Sequence, residues 1–519
     1  MEEPATTPTS ARFRLSKSKY LAGLQCLKRL YLDIHHPHLA TPPDASTRAM
    51  LEMGSEIGEL ARRRFPGGRL VNPGFLKRDA VLAETAGLMA DDSVPAIFEG
   101  AFQHDGVMVR VDILQRVSSP DGQPPSWRLI EVKSSSRVKD VHLNDLAIQT
   151  HVLRESGIPL MGVSLMHVNT QYFHHENEID LEGLFNIVDV TEAVASRRTG
   201  ITEKLDAMRL CLVELQPPSV QPGAHCDHPY ECHFWNHCTE RKPARWIHYL
   251  PGSKDLVSQL IERGVQTIDE IPDDVHLSSV QRRVKDDLEW VSEHLAKTLC
   301  SVEYPVHHLD FETVMLPVPR FPSTRPYQAI PFQWSNHREE ESGDLVHQEY
   351  LHHDDRDPRT GWAEALIESL GDRGTICVYS SYEQAILEQV MAVFPQYREP
   401  FQRIIARLWD LLPVIRNHYY HPGFRGSYSI KAVSPAVIPS LAYRDLAIQD
   451  GGQAANAYYR LAFVETDWIE LASLRHSLLQ YCQRDTMAMV QLRKALAQKA
   501  GIVHPPIRRE VENTSEKPQ

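Results

Sequence analysis

The chain has 519 residues, 55 of them basic and 68 acidic, giving a formal charge of −13. Its 42% apolar and 24% charged content is that of a globular protein and excludes a mainly disordered chain, and no apolar run reaches the roughly 18 residues of a membrane span. Eight cysteines are too few for a disulfide framework at this length, and no apolar leader follows Met1, so a reducing cytoplasm is the expected compartment.

Net acidity does not decide against nucleic acid, because charge distribution matters more than its sum. Residues 1–80 carry a local charge of +5, with Arg12, Arg14, Lys17, Lys19, Lys28 and Arg29 crowded together. The same run also reads as a solvated helix face. In chain order, residues 1–11 form a polar tail expected to be disordered. Leu15 to Ile34 predicts a helix with Ser16 or Ser18 as N-cap, and Met50 to Phe65 a second one, ended by Pro66-Gly67-Gly68. Two strands, Ile97 to Phe102 and Val107 to Leu114, flank the turn signal Asp105-Gly106. A Pro/Gly/Ser loop over 118–126 leads to a strand from Trp127 to Lys133. A helix from Leu143 to Ser156 and a strand from Met161 to Asn169 complete an α/β pattern. A Pro-rich stretch, 216–223, precedes a cysteine-bearing segment, and the first domain is expected to end near residue 245. Residues 246–300 predict a helical linker, 301–500 a second α/β domain, and 501–519 a disordered tail.

Asp112 closes one strand, and Glu131 and Lys133 sit at i and i+2 on the next, so they share a face. Two carboxylates can hold Mg²⁺ or Mn²⁺, and an adjacent lysine can polarise the attacking water. The next helix supplies Gln149. This order resembles the PD-(D/E)XK nuclease fold of the RecB type.

Cys226, Cys232 and Cys238 fall within 13 residues, and Cys26 lies far upstream in Gln25-Cys26-Leu27-Lys28-Arg29. Four thiolates suit an iron–sulfur cluster or Zn²⁺, and interleaved His225, His228, His233 and His237 keep a mixed zinc site open. Cys211, Cys300, Cys377 and Cys482 read as buried apolar residues. With Leu15 to Tyr31, one early cysteine and three late ones resemble the iron–sulfur RecB-like nucleases, including the CRISPR-associated exonucleases and AddB subunits. The resemblance covers about residues 12–245. It implies a restriction-endonuclease-like domain whose Cys26, Cys226, Cys232 and Cys238 hold a [4Fe–4S] cluster, with Asp112 and Glu131 as metal ligands and Lys133 and Gln149 as catalytic residues. The chain departs from that family in having no histidine near Gly54, where Glu59 stands, and Leu153 in place of the tyrosine after Gln149.

In the C-terminal half, Asp310 and Glu312 again share one strand face. Glu383 opens a helix, and Tyr481 and Asp485 sit four apart on another. Four carboxylates can hold two divalent ions. The set resembles the RNase H-like 3′–5′ exonucleases of the DEDD class, tyrosine subtype, and Gly426 to Val433 resembles their Ser-Leu-Lys element. The resemblance implies Asp310, Glu312, Glu383 and Asp485 as metal ligands and Tyr481 as the residue that positions water. Asp410 competes with Glu383 for the third carboxylate.

The expected protein is therefore a nuclease that hydrolyses phosphodiesters, with DNA ends favoured over RNA as substrate and no membrane association. The rival expectation is a nucleic-acid-binding adaptor with degenerate nuclease folds, or an RNA exonuclease.

Overall fold

The computed structural model describes residues 14–43, 45–71, 78–117, 125–175 and 178–502. The expected tails over 1–11 and beyond 502, Arg12, and most of the 118–126 loop lie outside these residues. The protein is mixed α/β and folds as two units. The first comprises Met1–Lys242 with Pro317–Tyr327, and the second Pro243–Leu316 with Gln328–Gln519. The expected linker over 246–300 thus belongs to the second unit. No described helix is long and apolar enough to cross a membrane.

In the first unit the expected N-terminal helix is two helices, α1 (Lys17–Gln25) and α2 (Leu27–His35), broken at Cys26. Cys26 is extended, with φ −165° and ψ 123°, and its N–H closes α1 on the Ala22 carbonyl. Ser16 caps α1 by accepting from Lys19 N. Such a cap meets donors that the first helical turn leaves unpaired.

The sheet of this unit contains β1 (Ala96–His104), β2 (Val107–Val117), β3 (Ser126–Lys133), β4 (Leu160–Val168) and β5 (Phe185–Asp189) in that spatial order. Strands β1, β2 and β3 are antiparallel neighbours. Helix α3 (Asp140–Glu155) is the crossover that makes β4 parallel to β3, because parallel pairing needs a long connection. Leu114 and Leu129 face Leu146 and Ile148 of α3 in one apolar cluster. Ile113 and Ile130 face the other way, packed with Phe98, Met166 and Val318. Val318 comes from the 317–327 segment, whose Thr324 also pairs with His174.

The second unit is built on a five-stranded sheet in the order β8-β7-β6-β9-β10, namely Leu345–Leu351, Ala329–Glu339, Val306–Met315, Thr375–Val378 and Leu408–Asp410. Strand β7 is antiparallel to both neighbours, while β9 is parallel to β6 and to β10. Central β6 is covered on both faces. Leu309 and Phe311 pack with Trp334, Trp362, Ile386 and Leu387, which brings in α4 (Tyr382–Val393). The opposite face, with His308, Asp310 and Glu312, lies under the long helix α7 (Trp468–Lys499), since Arg493 Nε is 3.3 Å from His308 Nε2 and Cys482 reaches Asp310. Two further helices, α5 (Ile430–Val437) and α6 (Gly451–Phe463), flank that face.

Candidate functional site

Three constellations can be built from the residues upward. In the first unit, the β2–β3 ladder pairs Ile113 with Ile130, and Asp112 and Glu131 come next on either side. There the Asp112 carboxylate accepts from Val132 N at 2.7 Å, so a side chain takes a backbone donor of β3. Glu131 and Lys133 share the face beneath α3, as the strand period requires. Lys133 Nζ donates to Glu131 at 2.6 Å and to Asp145 at 2.8 Å. Gln149 Nε2 donates to Glu131 at 2.8 Å and to Asp145 at 2.9 Å. Lys17, the first residue of α1, reaches Glu131 at 2.8 Å and Asp145 at 3.4 Å.

The four expected residues, Asp112, Glu131, Lys133 and Gln149, are therefore assembled, and Lys17 and Asp145 join them. Glu59 is exposed. Burial followed by the Glu131 charge pushes Asp112 up to about 7. Burial also works against the Glu131 charge, but the Lys17 and Lys133 ammoniums outweigh it and hold this carboxyl below its usual range. Glu131 and Asp145 are thus already partnered by ammoniums, and a divalent cation on them must compete with Lys17.

Cys26, Cys226, Cys232 and Cys238 line one cavity, together with Lys28 and Arg29. The break between α1 and α2 presents Cys26. Gln25 fixes this break by donating to the carbonyls of His225 and Tyr230, each at 2.8 Å. The Cys232 amide donates to the Cys226 carbonyl at 2.7 Å, which folds the late cysteine segment back on itself. Burial pushes the thiols of Cys226, Cys232 and Cys238 up. Two nearby cations and four converging thiols suit an anionic metal–thiolate group. A single tetrahedral zinc would need its sulfurs about 3.8 Å apart, given bonds of about 2.3 Å. Among the described residues, the acid or thiol groups gathered within 4.8 Å are Asp310, Glu312 and Cys482, not these cysteines. Of the aromatic residues beside this segment, Tyr20, Tyr31 and Phe234 are core residues, each at most 3% exposed.

The second unit carries the third constellation. Asp310 and Glu312 project from β6, Glu383 from the first turn of α4, and Tyr481 and Asp485 from one face of α7. Burial, followed by the charges of Asp485 and its acidic neighbours, raises Asp310 and Glu312 far above the carboxylate range. Burial raises Glu383 to about 8 and Asp485 to about 6. Oε2 of Glu383 is buried without a hydrogen-bond partner among the described residues. Lys431, from α5, donates to Tyr481 Oη at 2.6 Å, and Tyr443 Oη donates to Asp485. Burial and then the Asp485 charge keep the Tyr481 phenol protonated. Asp410 caps the helix Leu411–His418 by accepting from Leu412 N at 2.9 Å. That hydrogen bond gives Asp410 a structural task, whereas Oε2 of Glu383 has none among the described residues. The site is an acid cluster beside Lys431, and its carboxylates are the donor set a divalent cation would neutralise.

One expectation about the isolated cysteines needs correction. Cys300 is exposed and closes the short helix Leu295–Leu299 as its C-cap. Cys482 is buried as expected, yet its Sγ lies 3.6 Å from Oδ2 of Asp310. Lys17, Asp145 and Tyr443 were not anticipated as site residues: Lys17 lies in the Leu15 to Tyr31 stretch, which was read for Cys26, and Asp145 and Tyr443 come from stretches with no motif of their own.

A family model described as a domain of unknown function, DUF2779, matches residues 307–429. The matched stretch contains Asp310, Glu312, Glu383 and Asp410 and ends before Lys431, Tyr481 and Asp485. No curated protein matches the chain.

Proposed function

We propose that the chain is a metal-dependent nuclease that hydrolyses phosphodiesters at DNA ends, with 3′–5′ exonuclease chemistry in the second unit. The observation that carries this reading is the convergence of Asp310, Glu312, Glu383 and Asp485, from three separate elements, against one lysine. Mg²⁺ or Mn²⁺ bound there would lower the pKa of water and offset charge on the phosphate. Asp310, Glu312, Glu383 and Asp485 would hold the ion. Tyr443 orients Asp485 through its hydroxyl. Tyr481 receives the Lys431 N–H and its hydroxyl lies against Asp485, where it would position the attacking water.

In the first unit Asp112, Glu131, Lys133 and Gln149 form the corresponding PD-(D/E)XK centre, and the cysteine quartet carries a [4Fe–4S] cluster in preference to zinc. A second reading of this unit, as a nucleic-acid platform without hydrolysis, draws on Lys17, which occupies the carboxylates a cation would need.

The test is digestion of 5′- and 3′-labelled single-stranded DNA with Mn²⁺ by protein purified without air. Asp310→Ala is expected to abolish stepwise 3′ trimming, a loss of at least about 10²-fold. A separate product ladder lost in Asp112→Ala makes the first centre an enzyme too; an unchanged pattern makes it a platform. A wild type inert on DNA and on RNA would overturn the nuclease reading.

A further inference from the structure

The second-unit centre contains one side chain that hydrolysis as proposed does not use. Cys482 follows Tyr481 on α7 and is fully buried. Its Sγ is 3.6 Å from Asp310 Oδ2, and Sγ, an Asp310 oxygen and a Glu312 oxygen all lie within 4.8 Å of one another. A tetrahedral ion bonded to sulfur at about 2.3 Å and to oxygen at about 2.1 Å places those two donors about 3.6 Å apart. The Cys482–Asp310 separation, here that of an S–H···O hydrogen bond, also suits two ligands of one ion.

A second observation points the same way. Glu383 is 3% exposed, and its Oε2 has no hydrogen-bond partner among the described residues. Its charge acts on both Asp310 and Glu312, so it adds an unpartnered carboxylate oxygen to the same acid cluster. Mg²⁺ prefers oxygen ligands alone, whereas a thiolate selects softer ions such as Zn²⁺.

We propose that Asp310, Glu312 and Cys482 form a site for a thiophilic divalent cation, Zn²⁺ foremost, that shares its carboxylates with the nuclease centre and competes there with Mg²⁺ or Mn²⁺. The competition rests on the nuclease reading; the site itself does not. Binding replaces the S–H bond of Cys482 with a metal–sulfur bond and releases that proton to solvent. The thiol thereby turns an exonuclease centre into one that free zinc shuts off.

Cd²⁺ is the probe, because its bond to thiolate absorbs in the near ultraviolet and can be counted per chain. The full chain is titrated with Cd²⁺ as wild type, Cys482→Ser and Asp310→Asn. The cysteine quartet contributes equally in all three, so the difference is what counts. The wild type is expected to show one more cadmium–sulfur equivalent than Cys482→Ser, and Asp310→Asn to bind that equivalent at least tenfold more weakly. In parallel, the Zn²⁺ concentration that halves Mg²⁺-supported trimming should rise at least tenfold in Cys482→Ser, each protein being compared with its own zinc-free rate. Equal cadmium–sulfur absorbance in wild type and folded Cys482→Ser overturns the site. Cys482→Ala replaces the serine variant if circular dichroism shows that the latter does not fold. A wild type without nuclease activity removes the competition, while the cadmium count still decides whether the site exists.

Discussion

Asp310, Glu312, Glu383 and Asp485 crowd four acids around Lys431, and that crowding makes the second unit sensitive to pH. Asp485 at about 6 and Glu383 at about 8 lie above their ordinary values of 3.8 and 4.5. A carboxyl raised on folding favours the protonated, folded form. Its contribution is complete below the unfolded value and disappears as pH climbs through the folded one. The metal-free protein should therefore lose stability between about pH 4 and pH 8, and a bound cation should restore it. The expected outcome is a rise in melting temperature with Mn²⁺ that is larger at pH 8.5 than at pH 6, and calorimetry with and without EDTA measures it. An equal rise at both pH values would dissociate the cluster from metal binding. These acids were legible in the sequence because two local rules place them, the strand period for Asp310 and Glu312 and the four-residue helix spacing for Tyr481 and Asp485. Tyr443 was not, because its bond to Asp485 spans 42 residues and no local pattern marks it.

Helix α1 links two constellations of the first unit. Its first residue, Lys17, enters the Glu131–Asp145 pair, and Cys26 stands at its end. A cluster held by these cysteines would therefore anchor the element that delivers a cation to the acids. Replacing Cys26 or Cys232 by Ser should bring iron per chain to background in protein purified without air. It should also raise hydrogen exchange at residues 24–28, as mass spectrometry would show. Stoichiometric zinc in the wild type, in place of iron, would overturn the iron–sulfur proposal. The sequence predicts one helix here because its apolar spacing runs through Cys26. The break came from tertiary context, with Gln25 bonding carbonyls some 200 positions away. The β1–β2 hairpin, β3 and α3 were legible from period and turn signals, whereas Asp145 sits one turn before Gln149 without a signature.

Across the whole molecule, the division into units does not follow chain order, and no composition shift betrays this. Residues Pro317–Tyr327 belong with the first unit although they interrupt the second between β6 and β7. Val318 is 3% exposed in the core with Ile113 and Ile130. Val318→Ala should cost about 2 kcal/mol and reduce protection of the slowest-exchanging amides of β2 and β3 by about 30-fold. Unaltered exchange there would mean that the segment is dispensable to the first unit.

This discontinuity also bears on how the protein is made. A ribosome releases residue 242 well before residue 327, and at about 5–20 residues per second the delay is roughly 4–17 s. During that interval the first unit lacks Val318 and the strand bridge to His174. The earlier-synthesised unit is thus finished only after part of the later one has emerged, and premature termination in between would release an open core to chaperones and proteases.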